Sequence, residues 1–591
     1  MKNIRLLAVS LITTLPVLIV SEFVACNSPK KSNEVWYAPA NVHKLRNPLP
    51  NNNITLQKGK ELYNLYCGAC HGENGFGDGP ARGPLGQRPA NFHEEKVKKQ
   101  SNGDLFWKIS TGRNDMPSFE KILSDEQRWQ LVSYIRNIPD KPELKLPVAL
   151  RPDIKVEHFI TVDSEAVRIL HHPKTGDLWY TTFDGNVFRI KDVNSEPVSE
   201  KIFSAQDHDI AVLQGAAFLN NTLFLCGNVY SNNKRTTRGR MVRVDLDSSK
   251  QQQMSVVFNT VEYAANKTIY DHGWNAMVIS PDSKYIYVNS GARTDHGEIQ
   301  DNGGAYPKAR DNALTSKIFR FPVDARDLLL PDNEAKLKAD GYLYAHGIRN
   351  AYDMCFDPDG NLFGVSNSAD YDYPEDMFWI RQDHHYGFPW IMGGVENPQQ
   401  YKDWKPDPET DLFIRRSSHS WQAKYYYTDP EFPNRPSGVK FSPGVQNLGP
   451  DANEYRGHSG KVQDGDQTGV AVSTFTAHCC PLGLFFDTKK ILSKDFKGDG
   501  FVIRYVLGER SSLMKPFTNQ GSDLLHLDLQ YDKVTDNYVV KTTRLVEGFR
   551  GPVDAVLVGN NVYIIQYGGQ RGNIWKIILP MDSKPGTKNK E

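Results

Sequence analysis

The chain has 591 residues, more than a single hydrophobic core normally holds, so its length predicts two or three domains. Its 70 basic and 70 acidic residues give a formal net charge of zero, which offers no electrostatic basis for binding nucleic acid. The 46 glycines and 35 prolines indicate many turns, and the composition is that of a soluble protein.

The segment at 1–26 resembles a lipoprotein signal peptide. Lys2 and Arg5 precede an apolar core that is too short for a comfortable membrane span. Residues 23–26 read Phe-Val-Ala-Cys, which resembles a bacterial lipobox, and Cys26 would then be the lipidated first residue of the mature chain. The alternative is an ordinary secretory signal with an incidental cysteine. Both alternatives predict export, and lipidation of Cys26 predicts a periplasmic protein anchored to a membrane.

Residues 67–71 read Cys-Gly-Ala-Cys-His, which is the pattern of a c-type haem attachment site. In such a site the thiols of Cys67 and Cys70 add to the two vinyl groups of the porphyrin, and His71 becomes the proximal ligand of the iron. The five residues also fit a redox dithiol or half of a zinc site, so the neighbouring sequence has to decide between these alternatives.

The neighbouring sequence favours haem. Residues 56–66 have the pattern of an amphipathic helix, and Ser124–Gln127 is a capping box that opens a closing helix. Met116 stands before a proline in the intervening loop, where a distal thioether ligand would lie. His93 is the alternative distal ligand and would lower the reduction potential. This order of elements over 51–139 resembles a mono-haem cytochrome c.

From about residue 150 the pattern changes to short strands separated by turns, and six similar units recur. Each unit is a strand, a turn often built on Pro-Asp or Asp-Gly, and a second strand. The units cover 168–190, 215–225, 275–288, 353–363, 484–503 and 553–565. Six such units, with no long helical pattern between them, predict a six-bladed β-propeller with long inserted loops. The strand Asn573–Ile577 is expected to close the ring beside the first unit.

These patterns predict a multidomain protein, in which a small all-α cytochrome c domain is followed by an all-β six-bladed propeller. The polar, Pro- and Asn-rich stretch before the first domain predicts a flexible tether, and the polar C-terminus predicts a disordered tail. The predicted boundaries are 1–26 for the signal peptide, 27–50 for the tether, 51–142 for the cytochrome c domain, 150–580 for the propeller and 581–591 for the tail.

A set of residues at the starts and ends of the units resembles one enzyme family. The set, in chain order, is Gln214-Gly215, Asp271-His272, His346-Gly347-Ile348-Arg349-Asn350, Tyr386-Gly387-Phe388-Pro389 and Pro481-Leu482-Gly483-Leu484. It resembles the soluble glucose, aldose and sorbosone dehydrogenases that depend on pyrroloquinoline quinone (PQQ), which are six-bladed propellers. The resemblance covers about 166–579, without the long loops.

The resemblance implies a catalytic role for His272. It matches the general base of the family, which takes the hydroxyl proton of the substrate as hydride passes to the quinone. An imidazole suits this role because its unperturbed pKa is near neutral. Asp271 matches the neighbouring acid that orients the base or tunes its charge.

The resemblance also implies a set of PQQ ligands. Arg349 and Asn350 match the pair that grips the quinone oxygens, where a guanidinium stabilises the anionic reduced cofactor. Gln214 matches a polar group beside substrate and cofactor. Arg510 falls where the family has an arginine that faces the PQQ carboxylates, and Arg504 is the weaker candidate.

Calcium in that family lies against the carbonyl edge of the quinone, held largely by main-chain carbonyls after the fourth unit. This points to the Ser368–Asp372 loop. The chain departs from the family here, because Ala369-Asp370-Tyr371 replaces the usual Gly-Pro. Tyr505–Arg510 also lacks the His-Gly-Ser-Trp-Asn run of the sorbosone-type branch. The insertion over 395–470 is long enough to cover one end of the propeller.

Cys479 and Cys480 are adjacent, which is rare. In an oxidising compartment such a pair can close a strained eight-membered disulfide ring, flat enough to lie under a planar quinone, as it does in the unrelated methanol-type quinoprotein dehydrogenases. Alternatively, the two cysteines stay reduced and pack on opposite sides of one strand.

The leading functional hypothesis is an exported quinohaemoprotein dehydrogenase. A sugar, polyol or related aldehyde would be oxidised at PQQ, and the electrons would pass to covalent haem c and then to an exported acceptor or a respiratory-chain component. The alternative is a tethered c-type electron carrier whose propeller is a non-catalytic binding or assembly module.

Overall fold

The computed structural model describes residues 36–582, except 73, 78, 80–88, 115, 140–143, 164, 232–234, 247–253, 266–269, 301–307, 417, 507–515, 520 and 568–570. Among the residues described, no helix combines the length and the hydrophobicity that a membrane span requires. Cys26 and Arg510, two of the predicted functional residues, lie outside the described residues.

The N-terminal domain is a small helical bundle. Its helices are α1 (Asn53–Tyr66), α2 (Gly68–His71), α3 (Glu95–Lys98), α4 (Asn102–Thr111) and α5 (Asp125–Arg136). Ser101 and Ser124 form capping boxes at the starts of α4 and α5, which satisfy backbone N–H groups that the helices leave unpaired. Helix α1 packs closely on α5. At Gly59 the two helices are so close that a Cβ would overlap the carbonyl of Gln130.

The chain before α1 also packs on this bundle. The side-chain amide of Asn47 donates to the Trp129 carbonyl at 3.0 Å and to Ser133 Oγ at 2.7 Å. The Trp36 ring lies 6.0 Å from the ring of Trp107. Residues 36–49, which the sequence placed in the flexible tether, therefore lie against the helical domain instead.

The rest of the chain forms a six-bladed β-propeller, as predicted. Blade 1 contains β3 (Ala166–His171), β4 (Leu178–Thr182), β5 (Val187–Lys191) and β6 (Val198–Phe203). Blade 2 contains β7 (Val212–Leu219), β8 (Thr222–Ser231), β9 (Thr236–Asp245), β10 (Ser255–Thr260), β11 (Tyr263–Ala264) and β15 (Leu328–Leu330). Blade 3 contains β12 (Trp274–Ile279), β13 (Tyr285–Ser290), β14 (Lys317–Pro322) and β16 (Leu343–His346).

The remaining blades include two strands from the start of the propeller. Blade 4 contains β17 (Ala351–Phe356), β18 (Leu362–Ser366) and β19 (Asp376–Trp379). Blade 5 contains β25 (Pro481–Phe486), β26 (Gly500–Arg504), β27 (Asp523–Asp532), β28 (Asn537–Glu547), β1 (Val148–Ala149) and β22 (Gln446–Pro450). Blade 6 contains β29 (Pro552–Val558), β30 (Asn561–Gln566), β31 (Arg571–Ile578) and β2 (Lys155–Asp163). Each of the six predicted units lies in one blade.

The ring is closed by the two ends of the propeller sequence. Strand β2 pairs antiparallel with β31, from Lys155 opposite Ile578 to Asp163 opposite Arg571. The C-terminal strand thus lies at the closure, and the strand that precedes blade 1 becomes the outer strand of blade 6. This pairing gives hydrogen-bond partners to backbone groups along strand edges that would otherwise be exposed.

The innermost strands β3, β7, β12, β17, β25 and β29 lie side by side around the propeller axis, and β29 is next to β3. Each has a register irregularity near its first residues, for example between Leu213 and Gly215 in β7 and between Ala351 and Asp353 in β17. Such bulges re-aim side chains at the end of a sheet. We call the end of the propeller at which the innermost strands begin the mouth.

The insertion between blades 4 and 5 contains β20 (Ile391–Met392), β21 (Val395–Glu396), a 3-10 turn (Pro398–Gln400), α8 (His419–Gln422), β23 (Glu454–Arg456), β24 (Val462–Asp464) and α9 (Gly465–Thr468). Two other short helices, α6 (Ala205–His208) and α7 (Glu334–Ala339), lie in other loops. Ile414 and Tyr426 of the insertion pack on Ala292 and Tyr371, which follow the mouth ends of β13 and β18. The insertion therefore covers part of the mouth.

Candidate functional site

The haem-attachment residues lie on one tight turn that continues helix α1. The Cys67 N–H donates to the Tyr63 carbonyl, and the His71 N–H donates to the Cys67 carbonyl, both at 2.8 Å. Nδ1 of His71 donates to the Ala90 carbonyl at 3.0 Å, which leaves Nε2 as the ligating nitrogen. Burial lowers the pKa of His71, so its ring is neutral, the form that binds a metal. Cys67, Cys70 and His71 therefore fit a covalent haem.

Of the two candidate distal ligands, the contacts favour Met116. Backbone hydrogen bonds in both directions between Arg113 and Met116, at 2.9 and 3.0 Å, fix the loop, and the Met116 side chain packs against the same core as Cys67. Nε2 of His93 is instead bonded to the Asn74 carbonyl at 2.6 Å. Ligation by Nε2 of His93 would require this hydrogen bond to break, which leaves only Nδ1 as a ligating atom of this residue.

His272 lies directly before β12, at the mouth. Its Nδ1 donates to the Ala292 carbonyl at 2.9 Å, so Nε2 is the unprotonated nitrogen of a neutral ring. Nε2 lies 3.4 Å from Nη1 of Arg349. Burial and, next, the Arg349 guanidinium lower the pKa of His272 to about 3. The imidazole is therefore neutral at physiological pH and has a lone pair on Nε2, but a pKa this low makes it a weaker base than a free imidazole.

Arg349 lies in the turn between β16 and β17 and is held by a buried carboxylate. Its Nε donates to the main-chain carbonyl of Asp295 at 2.7 Å, and its Nη2 donates to Asp295 Oδ1 at 2.9 Å. The contacts of Nη1 are longer, at 3.2 and 3.5 Å to Asn367 and 3.4 Å to His272. Nη1 is therefore a charged donor that can still bind a stronger acceptor.

A network of amides surrounds this pair. Asn350 donates from Nδ2 to Asn367 Oδ1 at 3.0 Å and accepts at Oδ1 from Asn275 at 2.7 Å. Gln214 Nε2 lies 3.4 Å from the carbonyl of His272. Four predicted residues from blade 2 and from the starts of blades 3 and 4 thus lie together: Gln214, His272, Arg349 and Asn350.

Asp271, the predicted partner of His272, lies near two buried tyrosines. Burial and then the charge of Asp271 raise the pKa values of Tyr230 and Tyr263. The ring of His272 is oriented by the Ala292 carbonyl, and the buried acid of this cluster is Asp295. The catalytic role of Asp271 stays a prediction.

Arg504, the weaker candidate for the PQQ carboxylates, is fully buried at the end of β26 in blade 5. Its Nε and Nη2 bind the two oxygens of Asp523 at 2.9 and 2.5 Å, and Nη2 also donates to Asn519 Oδ1 at 2.7 Å. The pair balances both charges inside blade 5, whereas the buried Nη1 of Arg504 has no hydrogen-bond partner among the described residues. Arg510, the preferred candidate, lies outside the described residues.

The predicted calcium loop, Ser368–Asp372, borders the same cluster. The Asp370 N–H contacts the Asp295 carboxylate at 3.2 Å, and the Ser368 N–H donates to Glu375 Oε2 at 2.6 Å. Burial raises the pKa of Glu375 to about 7. Across the described ranges, no three His, Cys, Asp or Glu side chains are grouped to hold a metal ion. Calcium at this loop stays a prediction that would depend on main-chain carbonyls.

Cys479 and Cys480 are free thiols in the turn that leads into β25, and they pack against different hydrophobic clusters. Cys479 is fully buried, and its Sγ donates to the Asn519 carbonyl at 3.2 Å. Cys480 is partly exposed and lies near Tyr505 and Asn367. The structure therefore has the second of the two arrangements considered for this pair, with one thiol at the candidate site.

The axis of the propeller is closed beneath the site by Arg168 of β3. Its guanidinium donates to the Gln214 carbonyl at 2.6 Å and to the Tyr352 carbonyl. Nη1 lies 3.7 Å from Asp353 Oδ1 and 3.5 Å from Asp554 Oδ1. Burial raises the pKa of Asp353 to about 6 and that of Asp554 to about 7, although Arg168 opposes both shifts.

Sequence reasoning missed Asp295, Asn367 and Glu375. A signal existed for the first two, because Asp295 follows β13 and Asn367 follows β18. In an antiparallel blade the second strand ends where the first begins, so polar residues after it return to the mouth. Glu375 directly precedes β19, the third strand, which begins at the same end.

Comparison with known proteins divides the chain in the same way. Residues 55–135 match the protein family described as cytochrome C oxidase, cbb3-type, subunit III. A glucose dehydrogenase crystal structure shares 13% identity, with a TM-score of 0.44 over 71% of this chain and 99% of that one. The soluble aldose sugar dehydrogenase of Escherichia coli shares 12% identity, with a TM-score of 0.44 over 72% of this chain and 99% of that one.

A third solved structure, the PQQ domain of pyranose dehydrogenase from Coprinopsis cinerea, shares 13% identity. Its TM-score is 0.42, over 74% of this chain and 99% of that one. Residues 55–135 are therefore a cytochrome c domain, joined to a six-bladed propeller that is similar to these solved structures.

Proposed function

We propose that this chain is an exported quinohaemoprotein dehydrogenase, which oxidises a sugar, polyol or related aldehyde in the propeller and delivers the electrons to covalent haem c. One observation carries the proposal. The unprotonated Nε2 of His272 and the charged Nη1 of Arg349 lie 3.4 Å apart at the mouth, so a proton acceptor and an anion stabiliser face one small space.

The residues present fit PQQ. Nη1 of Arg349 is held by long contacts only, and the amides of Asn350 and Gln214 lie beside it. Ser368 Oγ is a buried hydroxyl without a hydrogen-bond partner among the described residues. A planar quinone with carbonyl and carboxylate oxygens would satisfy such donors. Bound there, PQQ would supply a two-electron acceptor that can release its electrons one at a time.

His272 would bind the substrate hydroxyl and remove its proton at Nε2. The Ala292 carbonyl keeps the other nitrogen protonated, so the ring presents its lone pair to the substrate in one tautomer. The low pKa of His272 ensures that this lone pair is not already occupied by a proton. Arg349 would stabilise the negative charge that develops beside it.

The linker supports electron transfer within one molecule. Strand β1 pairs antiparallel with β28, with Val148 opposite Glu547 and Ala149 opposite Val546. Strand β28 ends at the mouth side of blade 5, so the chain arrives from the mouth side. Fully extended, the chain from Arg136 to Val148 reaches at most roughly 40 Å. The haem domain is thus tethered on the side where the substrate would be oxidised, at a high effective concentration.

Export is part of the proposal, because covalent haem c is attached to exported proteins. Cys26 would carry the lipid anchor, and residues between it and Trp36 would connect the membrane to the haem domain. The final acceptor would be an exported electron carrier or a respiratory-chain component. A Cys26→Ser variant should lose the lipid and leave the lipoprotein fraction. Globomycin, which blocks lipoprotein signal cleavage, should instead leave the wild-type protein in the membrane as a precursor of higher mass.

The decisive experiment is anaerobic reconstitution. Haem-loaded full-length protein would be mixed with PQQ and calcium and then with a panel of sugars, polyols and aldehydes, while haem reduction is followed by absorbance. We expect substrate-dependent reduction that is lost in Arg349→Ala. The matched control is Arg320→Ala, whose guanidinium lies over Tyr285 in blade 3 and outside the site.

The outcomes separate the two hypotheses. PQQ binding without reduction by any substrate of the panel would reject the sugar oxidation. Failure of the wild-type protein to bind PQQ, measured as no calcium-dependent rise in melting temperature, would favour the electron carrier with a non-catalytic propeller.

A further inference from the structure

The segment after β13 contains three fully buried ionisable side chains. Asp295, His296 and Glu298 are each fully inaccessible to solvent. Uncompensated charges would be very costly there, so each must be paired or hydrogen-bonded. The sequence analysis used none of the three.

Both ring nitrogens of His296 face hydrogen-bond acceptors. Nδ1 lies 2.9 Å from Asp295 Oδ2, and Nε2 lies 3.2 Å from the main-chain carbonyl of Tyr425. A carbonyl cannot donate, and Asp295 is held ionised by the cations around it. The geometry therefore requires a hydrogen on both nitrogens, so His296 is a buried imidazolium.

The charge of His296 is balanced locally. Glu298 Oε2 lies 3.6 Å from Nδ1 of His296. The carboxylate of Glu298 also accepts from the N–H groups of Asp295 and His296, at 2.9 and 2.8 Å, and from Gln300 Nε2 at 2.6 Å. The carboxylates of Asp295 and Glu298 thus lie among two cations, His296 and Arg349. This pairing offsets the free-energy cost of burying the four charges.

Asp295 connects His296 to the candidate catalytic pair. Its Oδ1 accepts from Arg349 Nη2 at 2.9 Å, while its Oδ2 accepts from His296 and, at 2.7 Å, from Ser420 Oγ. The carboxylate plane is therefore fixed from the side opposite Arg349. Arg349 in turn presents Nη1 to His272.

His296 is also bound by the insertion that covers part of the mouth. Its ring stacks on Tyr426, with centroids 4.7 Å apart and an interplanar angle of 26°. Asn397 Nδ2 donates to the His296 carbonyl at 2.7 Å. Together with the Tyr425 carbonyl and Ser420 Oγ, these contacts surround His296 and its partner Asp295 with groups of the insertion.

From these contacts we infer that His296 is a positioning residue. It holds the Asp295 carboxylate so that Arg349 presents its guanidinium to the cofactor, and it couples the insertion to the orientation of Arg349. The inference rests on the proposed function for its consequence, which is cofactor affinity. It does not place His296 in contact with substrate or cofactor.

The test compares three variants in the full-length holo-cytochrome. His296→Leu removes both donors, His296→Gln keeps one N–H donor, and Ser420→Ala removes the neighbouring donor to Asp295. His208→Gln is the matched control, because His208 is equally buried but bonds to main-chain groups only, the Gly185 carbonyl and the Ile210 N–H. The readouts are the Kd for PQQ in calcium, kcat and KM at saturating PQQ, and the melting temperature of the apoprotein.

We expect His296→Leu to raise the Kd for PQQ about tenfold or more, which is typical for loss of a hydrogen bond to a charged group. His296→Gln should recover part of this loss, Ser420→Ala should show a smaller loss, and substrate KM should change little. His208→Gln should change the melting temperature without changing the Kd. A Kd within twofold of wild type in both His296 variants would overturn the inference.

Failure of the proposed function is distinguished by the apoprotein. If the wild type binds no PQQ, the positioning role is tested by comparing crystal structures of the wild-type apoprotein and the His296→Gln variant. Displacement of Arg349 from Asp295 in the variant would support the positioning role, and an unchanged Arg349–Asp295 pair would reject it. Where His296→Leu does not fold, the graded comparison of His296→Gln with Ser420→Ala gives the same decision.

Discussion

Arg349 and His272 face each other at the mouth of the propeller, with Nη1 of the arginine 3.4 Å from Nε2 of the histidine. The arginine is fixed from behind by Asp295, and the histidine is fixed by the Ala292 carbonyl. Both side chains are therefore held in place, and a ligand that binds beside them has to replace only the long Nη1–Nε2 contact to meet one charged donor and one lone pair.

The His272→Gln variant should separate catalysis from binding. A general base acts mainly in the transition state, so its loss should lower the chemical step by about 10²–10⁴-fold and change PQQ affinity little. The measurement is the rate of substrate-driven haem reduction, with dithionite reduction as the control for an intact haem. Turnover above about a third of the wild-type rate would show that His272 is not the base.

The distal haem ligand can be tested with two variants. Met116→Ala should lose the low-spin spectrum of a six-coordinate haem and lower the midpoint potential, because a thioether ligand raises the potential of a His-ligated haem. His93→Ala should leave both properties nearly unchanged, since its Nε2 is bonded to the Asn74 carbonyl. A normal spectrum in Met116→Ala together with a changed one in His93→Ala would reverse the assignment.

Asp353 and Asp554, the two buried acids at the propeller axis, predict how the stability of the protein depends on pH. The pKa values of Asp353 and Asp554, raised by burial to about 6 and 7, exceed those of an unfolded chain. Between about pH 4 and 7 the unfolded state therefore releases protons that the folded state retains, so the free energy of unfolding should fall as the pH rises through this window. Asp554→Asn removes one of these groups and should make the decline shallower.

The measurement is the melting temperature of the propeller transition between pH 4 and 7.5. The control is Asp359→Asn, which changes an exposed carboxylate in a turn of blade 4. An unchanged slope in Asp554→Asn would show that Asp554 is already ionised in the folded protein, paired with Arg168.

The repeated units and the C-x-x-C-H motif were predictable because both are local patterns. Strand alternation with turn residues predicted six blades, and the spacing of Cys67, Cys70 and His71 predicted the haem turn. The ion-pair network was less predictable. Asp271 precedes His272 in sequence, yet the buried carboxylate of the site is Asp295, because antiparallel pairing returns the end of β13 to the start of β12. Sequence adjacency does not place side chains on the same side of a turn.

The two adjacent cysteines should react at very different rates. Cys480 is partly exposed beside the site, whereas Cys479 is fully buried. Burial raises the pKa of both thiols, that of Cys479 to about 12 and that of Cys480 further, so the difference in exposure sets the difference in rate. Because the thiolate is the reactive form, iodoacetamide should label Cys480 in the native protein, although slowly, and Cys479 only after unfolding. Both should label without reductant, as free thiols do.

Peptide mapping by mass spectrometry would measure this labelling, with Cys480→Ser as the control that should lose the native adduct. PQQ with calcium should slow the native reaction, because Cys480 lies beside Asn367, which contacts both Arg349 and Asn350. A peptide two mass units lighter, with neither thiol labelled, would instead establish a disulfide between the neighbours. Labelling of Cys480 at the same rate with and without bound PQQ would place the cofactor away from this end of the cluster, and the PQQ roles of Arg349 and Asn350 would then be wrong.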